Sequence, residues 1–401
     1  MKIWMPDRSE KTAVTPATQG KIDMQKVNFN LHTTIVDSIR ELPAPTEVHV
    51  PVLGCILQIG KGKKVQRGTR VAERPTTHGG DKHAPGAGKV NGINYTHVSI
   101  TLDGEEESVD PVELGSMEPG KGLLRALRGL GIDTGSLAPA ETLIINGLNP
   151  EPGITAAEQL LRDEQPTLEA GLALASRIIT PKRTVLALAQ GYETTLSGCE
   201  AVPVKPVYPN SLAPLVAKTV TGRENPEGTV VLSVMDLYSL GQVAGTGLPV
   251  RDTVVTVNSG LNYKVLIGTP LSAILANAGI DVEQGDRVIL DGPMRGRAVY
   301  SLDDGVNRDT YGVTVVRHDA FPAITDEPCI NCGECVLNCP ARVMPHLISK
   351  YAEFNLFENT EAYGIGACFE CGLCAYHCVA RRPLLQYIRL AKKELAASKS
   401  S

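Results

Sequence analysis

The chain has 401 residues, too many for one ordinary core, so about two to four domains are expected. With 42% hydrophobic and 21% charged residues it has the composition of a globular protein. A net charge of −5 without blocks of like charge, and only 4% aromatics, argue against a nucleic-acid partner. The opening MKIWMPDRSEKTAVTP lacks the apolar stretch of about 7–15 residues of a signal peptide, and no apolar run of about 18 residues occurs. Neither export nor a transmembrane helix is expected, and the protein is expected in the cytoplasm, free or docked.

Residues 1–40 read as an N-terminal extension. From 41 to 115, short β-rich pieces alternate with turns such as Gly60-Lys61-Gly62 and Arg67-Gly68, which predicts a small barrel or sandwich. Val65, Gly68, Val71, His83-Ala84-Pro85 and Gly88-Lys89-Val90 look like the barrel-sandwich hybrid of lipoyl-type domains. Lys89 lacks the flanking residues of a modified lysine and is read as solvated. His78 and His83, in a glycine-rich loop, are read as surface residues. Cys55 and Cys199 stand alone and are read as buried and inert.

From 116 to 250, strands and helices alternate, which predicts a doubly wound sheet. LLRALRGLG is helical in period and ETLIINGL is an apolar strand. ITAAEQLLRDEQPTLEAGLALASRII is largely helical, with Pro166 starting its second part. TVLALAQG, AVPVKPVYP and TVVLSVMDLYS supply further strands. The natural ligand position of such a sheet is the crevice at the strand C-termini. Residues 251–318 read as a compact α+β unit of β-grasp type. DTVVTVNSG is a strand, YKVLIGTPLSAILANAGI is strand, turn and helix with Thr269 as N-cap and Pro270 at N1, and RVILDGPMRGRAV is strand and turn.

Residues 319–401 hold eight of the ten cysteines, in CINCGECVLNCP and CFECGLCAYHC. C-x2-C-x2-C wraps three sulfurs around one [4Fe–4S] cube, and the fourth cysteine, after three more residues, ligates the other cube in two-cluster ferredoxins. Cys329, Cys332, Cys335 and Cys378 are therefore assigned to one cluster, and Cys368, Cys371, Cys374 and Cys339 to the second. Gly333 and Gly372 follow the second cysteine of each run, where close approach of backbone to the cluster favours a missing Cβ. Zinc prefers two CxxC pairs separated by a longer span. PLLQYIRLAKKEL at 383–395 predicts a helix with Leu384, Leu385, Ile388 and Leu395 on one face, packed on its own protein or docking a partner.

Taken in order, several strings resemble one family, the C-type member of the Rnf complex, a membrane-bound oxidoreductase coupling ferredoxin and NAD to ion transport. They are VPVLGCILQIG, VQRGTRVA and HAPGAGKV; IINGLNPEPGIT; VYP and KTVTGRE; PVRDTVVTVNSG, IGTPLSAIL and DGPMRGRAV; and both cysteine runs, with LLQYIR following. The resemblance implies a multidomain protein: barrel-sandwich hybrid, Rossmann-like nucleotide domain, soluble-ligand-binding β-grasp unit and two-cluster ferredoxin-like domain. It implies a peripheral position on the cytoplasmic side of the inner membrane, other Rnf subunits as partners, and ferredoxin or NADH as redox partner. In the family, NADH passes hydride to FMN, which feeds the clusters one electron at a time.

Four departures gather on the nucleotide site. A GGAGFP-like loop is replaced by RGLGIDTGSLAPAE, ECEP by Asn149-Pro150-Glu151-Pro152, YPQGGEK-like by YPNSLAP, and an Asn-Val-Gly-Thr-like turn by Ser233-Val234-Met235-Asp236. Glu151, Gly153, Gly129 and Gly131 are the remaining candidates for FMN or NADH binding. The resemblance thus leaves a site kept, altered or lost, with a ferredoxin, a flavoprotein or another partner protein as the other electron source. The competing class is a soluble iron–sulfur reductase module feeding a cytoplasmic enzyme. No GxSxG, HExxH or Walker A string supports a hydrolase.

Overall fold

The computed structural model describes residues 27–33, 35, 37–258, 260–321 and 324–400. Most of the expected 1–40 extension therefore lies outside the described residues. Strand β1 (Arg40–Glu41) leads into β2 (Glu47–Pro51), β3 (Ile56–Leu57), β4 (Lys64–Val65), β5 (Arg70–Glu73), β6 (Lys82–His83), β7 (Gly88–Ile93) and β8 (His97–Leu102). Of these, β2 to β8 form two small sheets, ordered β2-β8-β7-β4 and β3-β5-β6. Val48, Val50, Val90, Val98 and Ile100 alternate with more exposed neighbours and fill the space between them. Lys89 is exposed, as is His78, but His83 is buried rather than on the surface. Its loop folds inward against the turn around Gly131.

Next come α1 (Lys121–Gly129), β9 (Thr142–Asn146), α2 (Ala156–Asp163), α3 (Gln165–Ile179), β10 (Arg183–Ala189), β11 (Glu200–Val204), α4 (Ala213–Thr221), β12 (Thr229–Ser233) and α5 (Val234–Thr246). The sheet is parallel, ordered β11-β10-β9-β12. Both faces are covered, which explains the near-continuous apolar strands. Leu143 and Ile145 of β9 face the core under α2, α3 and α5. Ile144 faces the other core, with Val216 of α4. That second core also takes in Met294, Cys371 and Leu373, so the C-terminal units seat directly on the sheet.

One expectation fails here. TVVLSVMDLYS is not one strand: β12 ends at Ser233, where a capping box begins α5. The Asp236 N–H donates to Ser233 Oγ (3.1 Å), and the Ser233 N–H donates to the Asp236 carboxylate (2.9 Å).

Strands β13 (Asp252–Val257) and β14 (Leu261–Leu266), helix α6 (Leu271–Asn277), and strands β15 (Arg287–Leu290), β16 (Arg297–Ala298) and β17 (Gly312–Val316) form the next unit. Its sheet runs β1-β14-β13-β17-β15-β16, with β13 and β17 parallel at the centre and an antiparallel partner on each side of that pair. The helix starts one residue later than expected. Pro270 occupies the N-cap position without a side-chain cap, and Thr269 is not the cap. The chain ends in α7 (Glu334–Leu337), α8 (Pro345–Glu353), α9 (Leu373–Tyr376) and α10 (Leu384–Ser400). Leu384, Ile388 and Leu395 of α10 pack into the cysteine unit's own core, together with Ile348 of α8.

Helices α3 and α5 pack against each other through glycine. A Cβ at Gly171 would strike the Leu237 carbonyl, and one at Gly241 the Thr167 carbonyl. Gly171→Ala or Gly241→Ala should therefore destabilise the protein by about 1–3 kcal/mol, read as a lower denaturant midpoint. An unchanged midpoint would mean that the helices can separate at no cost.

Candidate metal centre and nucleotide crevice

The two cysteine runs repeat one backbone path. Asn331 and Glu370, each two residues after the first cysteine of its run, have φ of 54°. Gly333 and Gly372 take φ of 82° and 78° and start α7 and α9. Arg342 and Arg381, three residues after each fourth cysteine, are also left-handed. The glycines are thus required first by a positive φ. Gly372 is additionally pressed against the Met294 carbonyl.

The paths cross. Cys329, Cys332, Cys335 and Cys378 line one cavity, and Cys339, Cys368, Cys371 and Cys374 line another. Among the described residues, no three His, Cys, Asp or Glu side chains are placed to bind a single ion. Four sulfurs spread around a cavity suit a four-iron cube better than mononuclear zinc. Burial pushes the Cys371 thiol up to about 11 and raises Cys335, Cys368 and Cys374 as well. Without metal these groups are therefore protonated thiols, and loading must release protons.

The surroundings differ. The first set is the outer one, with Cys329 and Cys332 exposed. Arg382 braces it: the backbone N–H donates to Cys378 Sγ (3.4 Å), and the guanidinium pairs with Glu353 (2.6 Å). The second set is the inner one. The Glu370 N–H donates to Cys368 Sγ (3.4 Å), and Lys392 Nζ donates to the Cys368 carbonyl (2.8 Å) and to the Glu370 carboxylate (2.9 Å). The Tyr208 hydroxyl donates to the Cys371 carbonyl (2.6 Å). Neither lone cysteine is fully buried. Cys55 and Cys199 are both half-buried, and burial pushes the Cys199 thiol up to about 11, which keeps it protonated.

The crevice at the carboxyl ends of the parallel strands is partly occupied by the chain itself, with a cavity of about 250 Å³ at the end of β12 and an open groove of about 970 Å³ beside Pro152 and Gly153. The switch point lies between β9 and β12. At the end of β9, Asn146 Nδ2 donates to the Ser211 carbonyl (2.8 Å). Asn149 is buried, donates to the Leu31 carbonyl (2.8 Å) and accepts the Glu158 N–H (3.2 Å). Beyond β12, the N-terminus of α5, a natural phosphate seat, holds the Asp236 carboxylate instead.

Gly129 is the last residue of α1, and Gly131 (φ 88°) turns the chain after it, its carbonyl accepting from Arg308 Nη1 (2.7 Å). His83 bonds to the Gly129 backbone, and burial pulls its imidazole down to about 4. A cavity of about 250 Å³ beside this turn is lined by Asp133, Asp236, Asp309 and Arg308. The Arg308 guanidinium is already paired with Asp309 (2.7 Å). An FMN phosphate would meet three carboxylates and one committed cation there, so these residues do not fit the flavin. Gly153 (φ 79°) lies with Pro152 at an open groove. Glu151 is fully buried, its Oε2 accepting the Met294 N–H (2.8 Å). These long-range closures have no signal in the sequence. The exception is the Ser233–Asp236 capping box, whose S-x-x-D spacing is readable.

Comparison with known proteins agrees with this geometry. Residues 321–379 match the family described as "4Fe-4S dicluster domain". The fold and the cysteine cavities thus define a mixed α/β protein ending in an iron–sulfur dicluster domain, the class of one-electron carriers.

More particularly, the chain is similar along most of its length to the C-type members of Rnf-type ion-translocating oxidoreductases. It is 26% identical over 431 residues to the C member of the "Ion-translocating oxidoreductase complex" of Rhodobacter capsulatus, covering 92% of this chain and 82% of that one. It is 25% identical to the C member of the "Na(+)-translocating ferredoxin:NAD(+) oxidoreductase complex" of Acetobacterium woodii, covering 99% and 97%. It is 26% identical to the C member of the "Proton-translocating ferredoxin:NAD(+) oxidoreductase complex" of Clostridium ljungdahlii, covering 89% and 90%. Among solved structures, an NAD+-reducing [NiFe]-hydrogenase in the H2-reduced state matches with a TM-score of 0.42 and 17% identity, covering 65% of this chain and 60% of that one.

Burial raises the Glu151 carboxyl from 4.5 to about 8, against the pull of the Met294 and Arg295 N–H groups and the Arg295 charge. The unfolded carboxyl ionises first as pH rises. Stability is therefore full below pH 4.5 and lost progressively as pH rises toward about 8. Glu151→Gln removes this loss. Denaturation of metal-loaded protein should show the variant gaining on the native chain by up to about 1.4 kcal/mol per pH unit across that window. A difference independent of pH would mean that Glu151 ionises freely.

Proposed function

We propose that this chain is the C-type member of an Rnf-type ion-translocating membrane oxidoreductase, relaying single electrons without a flavin of its own. The observation that carries the reading is the pair of crossed four-cysteine cavities. Cys329, Cys332, Cys335 and Cys378 would hold one [4Fe–4S] cluster, and Cys339, Cys368, Cys371 and Cys374 the other. When bound, such clusters accept and release one electron at a time. The chain supplies placement. It buries Cys371 of the inner set against the parallel-sheet unit and Met294 and leaves Cys329 and Cys332 of the outer set exposed, where a partner's redox centre can approach.

The loss of a resident FMN and NADH site is supported by the crevice. The hydrogen-bonding groups of Asn146 and Asn149 described above are engaged within the chain, and Asp236 holds the helix terminus. Glu151, Gly153, Gly129 and Gly131 then serve the fold. Electrons come from a protein donor such as ferredoxin and pass to the other subunits of the complex, or the reverse. The chain sits peripherally on the cytoplasmic side of the inner membrane. Among the described residues, no helix is long and apolar enough to cross it. On this reading residues 1–40 are an extension, 41–115 a barrel-sandwich hybrid, 116–250 a Rossmann-like domain, 251–318 a β-grasp domain of the soluble-ligand-binding type, and 319–401 the two-cluster ferredoxin-like domain.

Anaerobic reconstitution with iron and sulfide should load two four-iron clusters per chain, and Cys374→Ser should lose the inner one. With FMN added, NADH should leave the visible absorbance unchanged while dithionite bleaches it. Bleaching by NADH would establish a working flavin site and overturn the flavin-free reading.

A further inference from the structure

Glu151 lies at the junction of three units. It has no access to solvent, and its Oε1 has no hydrogen-bond partner. Its Oε2 accepts from Met294, at the turn following β15. The bare Cα of Gly292 makes room for the side chain, since a Cβ there would strike it. The same turn presents the Met294 carbonyl to Gly372, next to Cys371. Tyr208, bonded to the Cys371 carbonyl, and Tyr311 both lie close enough to feel the charge of Glu151. A carboxyl is thus held one turn of backbone from the inner sulfur set. Glutamine would serve the Met294 N–H equally well without an ionisable proton. An ionised carboxylate with a bare oxygen in this place is costly, and the cost grows when negative charge arrives nearby.

We propose that Glu151 is the proton partner of the inner iron–sulfur centre: where its carboxyl is ionised, the addition of one electron to the group on Cys339, Cys368, Cys371 and Cys374 draws one proton onto Glu151 from the solvent of the open groove beside Pro152 and Gly153, and the carboxylate becomes a carboxylic acid. The inference rests on the proposed function, because it needs the inner cluster. The electron comes from any one-electron reductant, and the added negative charge is offset by the proton.

The ionisable groups facing Glu151 are Asp291 and Arg295 on its turn, Tyr208 before α4, and Tyr311 before β17. Arg389 of α10 reaches the same turn through the Arg295 carbonyl (2.7 Å). Burial already lifts the carboxyl to about 8, and Asp291 adds to the lift. A further negative charge nearby lifts it more. Below that pH the acid already carries its proton, and the potential of the inner centre is independent of pH. Above it, electron and proton enter together, and the potential falls as pH rises.

The test is a redox titration of the reconstituted full chain at a series of pH values from about 6 to about 10, followed by electron paramagnetic resonance. One of the two midpoint potentials should be flat at the acid end and become more negative toward the alkaline end, while the other stays flat. In Glu151→Gln both should be flat throughout. Two flat potentials in the native chain, or a slope that survives in a loaded Glu151→Gln variant, overturn the inference and leave the relay intact. Failure of the native chain to load clusters overturns the relay itself. Should the variant not load, the native chain decides alone. Its reduced-minus-oxidised infrared spectrum must gain a carboxylic C=O band at alkaline pH, and no such band overturns the inference.

Discussion

Neither cysteine run completes a set of sulfurs by itself. The fourth cysteine of each run lies in the cavity lined by the other three of its counterpart. That crossing fixes the C-terminal unit. It requires the paired left-handed turns at Asn331 and Glu370 and the short helices α7 and α9 after Gly333 and Gly372. It also requires α8 and α10 to carry the chain away from each fourth cysteine and pack against each other. The surrounding apolar core is small, and metal bound in the two cavities would supply what that core lacks.

The rest of the molecule bears on one half of this unit. Cys371 and Leu373 share a core with Ile144, Val185 and Tyr208 of the parallel-sheet unit and with Met294 of the mixed-sheet unit. The outer half keeps Cys329 and Cys332 at the surface, beside exposed Ile330 and Val379. Two sites built on one backbone path therefore have different dielectric surroundings. Burial, hydrogen bonds to sulfur and nearby charge are the levers that set cluster potentials. Here they are applied unequally, with Lys392 and Glu370 on the inner side and Arg382 on the outer.

Much of this is legible in the residues alone. The cysteine spacing carries the cross-pairing of cavities, because the short helix that holds the third cysteine of each run ends before the fourth and carries it away from the other three. Apolar runs such as TVLALA carry the parallel strands, and Pro166 and Pro383 mark helix starts. Alternating apolar residues carry the N-terminal sheets. The failures have particular causes. TVVLSVMDLYS is rich in β-branched and large apolar residues, and that weight hides the Ser233–Asp236 cap that ends the strand. His83 looks exposed because its loop is rich in glycine, whereas that loop is pinned under the Gly131 turn. The hydrogen bond from Asn149 to Leu31 at the crevice joins residues 118 apart in sequence, and no local pattern encodes it. The burial of Glu151 depends in the same way on Gly292 and Met294.

The most direct measurement is an anomalous-difference map at the iron edge from anaerobically grown crystals of the reconstituted chain. The account predicts two separate four-iron features, the inner one bonded to Cys339 with Cys368, Cys371 and Cys374, and the outer one to Cys378 with Cys329, Cys332 and Cys335. Single-ion peaks, or each run closing all four of its own sulfurs on one feature, would contradict it.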